Sequence, residues 1–103
     1  MRKGTKKIQE LFMSRTPGAI NNTSVQVIAG FVVMYLHGNK IASMDAQDQL
    51  YVTLAGYNTP TTRDRLNGLH GMKIHTVKGQ VYLNGTAWDG SWIFVKSQPA
   101  TTI

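Results

Sequence analysis

Cysteine is absent from this 103-residue chain. Its absence removes disulfide staples, thiolate zinc sites and thiol nucleophiles together, and it agrees with a reducing compartment. Acidic residues are scarce: Glu10, Asp45, Asp48, Asp64 and Asp89 face eleven lysines and arginines. Long apolar runs are missing too. The best of them, VIAGFVVMYL at 27–36, reaches about half the length of a membrane-spanning helix. The basic start, MRKGTKKIQELF, has no apolar signal core. These absences make a protein of the cytoplasm the expectation. A chain of this length reads as one domain, large enough to bury a modest core without a disulfide or metal.

The net charge is +6, and it is unevenly spread. The first fifteen residues hold Arg2, Lys3, Lys6, Lys7 and Arg15 against Glu10, whereas the other 88 hold six basic side chains against four acidic ones. Such a basic segment can dock on phosphate or on an acidic partner, or serve as a solvated end that promotes solubility. Thr5 to Arg15 carries Ile8, Leu11 and Phe12 at helical spacing. Thr16-Pro17-Gly18 ends that helix, because the residue before proline avoids the helical region. A helix this short is marginal alone and must dock on the domain or on a partner.

Beyond Ile20 the pattern switches to strands. Thr23–Ile28 alternates. Phe31–Leu36 is apolar on both faces, which predicts a central strand covered on both sides. His37-Gly38-Asn39 is a turn leading into a strand at 40–44. Leu50, Val52 and Leu54 alternate inward, with Tyr51 and Thr53 outward. Lys73–Val77 and Gln80–Leu83 flank Lys78-Gly79 as a hairpin, and Ser91–Lys96 is a last strand. The fold class is therefore α+β: a small, mostly antiparallel sheet of five to seven short strands, an N-terminal helix and one short helix near 60–67. The chain divides into a basic helical segment at 1–20, a single α+β domain at 21–96 and a loose tail at 97–103. LHGNKI at 36–41 and LHGMKI at 69–74 share five of six residues; two copies in different contexts read as a recurring turn, not a duplication.

The stretch YNTPTTRDRLNGL at 57–69 has the chemistry of a capped short helix. Thr59 is the N-cap, Pro60 takes the first helical position, and Gly68 closes the helix in the left-handed conformation. Those residues need no ligand to explain them. With Leu66 facing the core, Arg63 falls roughly 60° to one side and Arg65 roughly 100° to the other, with Asp64 toward solvent. The two arginines straddle the helix, so two phosphate contacts along a backbone or two structural pairings are both open.

The candidate nucleic-acid contacts are Lys3, Lys6, Lys7, Arg15, Arg63, Arg65 and Lys73. The candidate partner-binding aromatics are Tyr51, Tyr82, Trp88 and Trp92, each of which has a competing place in the core or on an ordinary sheet surface. His37, His70 and His75 lack metal-ligand spacing, and the hydroxyl residues show no nucleophile elbow. No metal, cofactor or catalysis is expected.

The strings VVMYLHGNKIA, LAGYNTPTTRDRLNGL and YLNGTAWDGSW follow in this order. A Tyr-Leu-His-Gly-Asn turn, a Thr-Thr-Arg-x-Arg-Leu-Asn helix and a tryptophan hairpin together resemble a family of small tailed-bacteriophage proteins over residues 22–95. The resemblance implies a phage protein at work in the cytoplasm of an infected host; it implies no particular chemistry. The leading expectation is a non-catalytic nucleic-acid binder. The alternatives are a module that binds or inhibits a host or phage protein, and a homo-oligomeric structural component; no membrane association is expected.

Overall fold

The computed structural model describes residues 3–96, so the tail predicted at 97–103 lies outside the described residues. The chain runs α1 (Lys3–Met13), β1 (Gly18–Ile20), β2 (Thr23–Ile28), β3 (Phe31–Leu36), β4 (Asn39–Met44), β5 (Leu50–Val52), α2 (Pro60–Leu66), a 3-10 turn at Leu69–Gly71, β6 (Ile74–Val77), β7 (Gln80–Leu83), β8 (Thr86–Ala87) and β9 (Ile93–Val95). The strands form two antiparallel sheets. The larger has the order β1-β2-β3-β4-β5-β9 and the smaller β6-β7-β8. This is the predicted α+β architecture, with β1 and β8 added. Both are too short to leave a period in the sequence.

One core joins the layers. Val25, Val32, Met34, Met44, Leu50, Val52 and Val95 line the inner face of the larger sheet. Ile8 and Phe12 of α1, Leu66 of α2, and Val81, Leu83 and Trp88 beside the smaller sheet cover that face. The amphipathic stripe of α1 is thus spent inside this molecule: Ile8 and Phe12 are fully buried and Leu11 is partly so.

The local expectations for α2 hold. The Thr59 side chain accepts from the Thr62 N–H, Pro60 opens the helix, and Gly68 has φ 99°. The two LHG copies also share a backbone solution. His37-Gly38 and His70-Gly71 are all in the left-handed region, at φ 51°, 81°, 51° and 78°. A leucine is buried before each pair and an isoleucine after it.

Three expectations need correction. Asp64 does not point to solvent: its carboxylate accepts from Thr5 of α1 and pairs with Arg65 at 3.1 Å. Thr53 faces inward, where its hydroxyl donates to the Gly90 carbonyl at 2.8 Å. Most consequential, β3 is covered on one side only. Val32, Met34 and Leu36 are buried, whereas on the other face Val33 alone is buried, Phe31 is open and Tyr35 is half-buried. Among the described residues no element covers that outer face.

Candidate binding surfaces

Arg65 and Arg15 belong to the scaffold. Arg65 is 6 % exposed. Its Nε donates to Thr23 Oγ1 at 2.9 Å, and its Nη1 donates to Thr5 and Asp64. It therefore locks α2 to α1 and β2, and the expectation of a phosphate contact there gives way to a buried structural pairing. Arg15 donates to the Asp45 carbonyl, to Gly30 O at 3.3 Å and to Asp48 Oδ1 at 2.7 Å, tying the end of α1 to two turns. A guanidinium's fixed fork of donors suits such multi-point pinning.

The remaining predicted cations are placed differently. Lys6 and Lys7 lie exposed on the solvent side of α1, the side opposite buried Ile8 and Phe12. Arg63 is half-buried on α2 and donates to the Asn58 side chain. Lys73 is exposed just before β6, in the smaller sheet. Of Lys3, the structure gives only its place at the start of α1. Lys6 and Lys7 thus share the solvent side of α1, while Arg63 sits on α2 and Lys73 beside the smaller sheet.

Of the four predicted aromatics, two come together. Tyr51 and Trp92 line one open groove of about 490 Å³ on the outer face of the larger sheet, with Ile28, Phe31, Val33 and Lys40. Phe94 stands beside Tyr51, its ring centroid 5.4 Å away in a tilted contact, in the row set by the pairs Val33↔Ser43, Ser43↔Tyr51 and Tyr51↔Phe94. Ile28, Phe31, Trp92 and Phe94 are each 47–50 % exposed. Tyr82 is elsewhere, stacked on His75 with centroids 5.2 Å apart. Trp88 is not a surface grip: it is 6 % exposed, and its indole N–H donates to Ser91 O at 2.9 Å. A ring of that size anchors a small core.

The turn between the tryptophans sends one in and one out. Gly90 has φ 87°, and a Cβ there would meet Leu54 at 3.0 Å. Its carbonyl accepts from Leu54 N and Thr53 Oγ1. The Asp89 carboxylate accepts from the Ser91 hydroxyl at 2.7 Å and the Ser91 N–H at 2.9 Å. Those bonds, the hydroxyl's first, hold the Asp89 pKa below the usual carboxylate value.

Phe31, Phe94 and Lys40 were missed as surface residues. Phe94 was legible: Trp92 and Phe94 alternate with Val95 inward. Lys40 was not, because a register shift at Met34/Tyr35 pairs it with Tyr35 and leaves Ile41 as an extra, fully buried residue. Such a bulge re-aims its neighbours, here moving the lysine to the outer face.

Among the described residues no three His, Cys, Asp or Glu side chains gather as a metal site, and no helix is long and apolar enough to cross a membrane. His37 lies 3.2 Å from the Asn22 amide, and the Nδ1 atom of His70 is buried with no hydrogen-bond partner among the described residues. A small two-sheet α+β domain with a basic helical side and an aromatic sheet side is the class these features define. A family model for the Kyanoviridae Gp96 protein matches residues 1–98, and the chain belongs to that phage family. No curated protein and no solved structure matches the chain.

Proposed function

We propose that this protein binds nucleic acid without catalysis, through lysines on its helical side and on the smaller sheet. The supporting observation is how the cations are divided. Both ion pairs among the described residues use arginine, Arg15 with Asp48 and Arg65 with Asp64. Lys6, Lys7, Lys73 and Lys78 are exposed and have no acidic partner among the described residues. The positive charge thus sits at the surface on lysines, which meet phosphate as point charges rather than as shape-reading forks. Binding of that kind is salt-sensitive and tolerant of sequence.

Fluorescence anisotropy with labelled single-stranded DNA, duplex DNA and RNA across a salt series tests this. Wild type binds at low salt, and the double substitution Lys6→Gln/Lys7→Gln lowers the log–log salt slope by roughly 1.5. Arg63→Ala weakens binding as well. A wild-type protein that ignores all three probes at low salt contradicts the reading, as does an unchanged slope in the double variant.

A second reading is favoured by the outer sheet face. An apolar groove walled by half-exposed rings, with Lys40 its one charged lining residue among the described residues, has the composition of a protein interface core.

A further inference from the structure

The outer face of the larger sheet is an unfinished layer. Val33 is 5 % exposed on it, while the larger side chains around Val33 stand open. We propose that a second copy of this chain covers it, the two six-stranded sheets packing face to face as a sandwich about a two-fold axis. The proposal rests on reading this face as a protein interface and is independent of the nucleic-acid reading.

Area, charge and shape each support a second copy. Four half-exposed rings (Phe31, Tyr51, Trp92, Phe94), each presenting roughly 150–250 Å² in full, place about 400 Å² of apolar surface in one patch. That lies within the roughly 300–600 Å² range of the largest patch on a monomer, and it is about half of the roughly 800 Å² that each partner gives a stable interface. The polar side chains beside the patch, Ser24 and Gln26 among them, would supply a rim.

Lys6 and Lys7 lie on the far side of the molecule, across the core from the groove. Pairing the outer faces therefore keeps these lysines of the two copies apart, whereas an acidic chain would be drawn to them instead. The occupant that suits the face is flat, aromatic and nearly uncharged, and the face itself has that description. Sheets with the same twist pack aligned at about 10 Å. The groove floor at Val33 and Ser43 lies between walls that include Phe31 and Trp92. A two-fold axis sets a wall of each copy into the groove of the other, so one contact is made twice.

Sedimentation velocity from low micromolar to near-millimolar protein tests the pairing. Wild type shifts with concentration from the 11.4 kDa chain mass to twice that value. Phe94→Asp and, as a milder change, Phe31→Ser each raise the dimer dissociation constant at least about tenfold, with far-UV circular dichroism unchanged. Val77→Asp alters an equally open apolar residue on the smaller sheet and leaves the dimer as it is. A wild-type mass that stays at one chain throughout overturns the proposal, whatever the variants do. So does a dimer that survives both face substitutions and is lost with Val77→Asp. The face reading itself fails separately if Phe94→Asp changes neither self-association nor binding to any added partner.

Discussion

Replacing Arg65 by alanine removes three hydrogen-bonding partners at once and leaves Asp64 half-buried without its cation. Breaking a buried pair from one side costs about 3–5 kcal/mol, so Arg65→Ala should lower the unfolding free energy by that order in denaturant titration. Arg63→Ala, two positions away and with its side chain bonded only to Asn58 among the described residues, should stay within about 0.5 kcal/mol. Equal losses at the two positions would contradict the assignment of Arg65 to the scaffold and Arg63 to the surface. The sequence could not separate them, because Thr5 and Thr23 lie 60 and 42 residues from Arg65 and no local pattern encodes such partners. The caps of α2 were legible because Thr59, Pro60 and Gly68 act within their own turn. Asp89 gives a second test at this scale. Its folded pKa is depressed, so its contribution to stability is present at neutral pH and fades as pH falls through the carboxylate range. Ser91→Ala removes the largest cause. The Asp89 carboxyl resonance should then titrate at higher pH, nearer the ordinary value, while an unmoved midpoint would place the cause elsewhere.

Among the elements, α1 and β3 show what a pattern can and cannot disclose. The Ile8/Leu11/Phe12 stripe announces an amphipathic helix that must dock, but not on what. The structure answers that its apolar face packs on β1, β2 and β3, with Ile8 and Phe12 in the common core. Phe12→Ala should therefore cost about 3–5 kcal/mol in global unfolding, and a loss below about 1 kcal/mol would mean that α1 is dispensable to the domain. For β3 the two-sided apolar pattern was read correctly and its consequence was not: the second cover does not come from this chain's described residues. The bulge in β4 is a further case. It reverses the alternation around Ile41 and Lys40, so a period-two reading places Lys40 on the wrong face.

At the scale of the whole molecule, the organisation is two-sided. Helices α1 and α2 and the smaller sheet close the inner face of the six-stranded sheet, and Lys6 and Lys7 ride on the solvent side of that layer. The opposite face is aromatic and nearly uncharged. A dimer joined at the aromatic faces would carry two outward basic surfaces, and a flexible strand touching both would be held by the product of two weak contacts. Sedimentation velocity with a labelled single-stranded oligonucleotide, recorded with tryptophan emission, tests this arrangement most directly. Trp88 is buried and Trp92 is open, so a change of emission on binding reports the groove. The account predicts that the oligonucleotide sediments with the dimer and leaves the Trp92 emission of that dimer unchanged. An oligonucleotide that splits the dimer and quenches Trp92 would contradict it, making the aromatic face the nucleic-acid site.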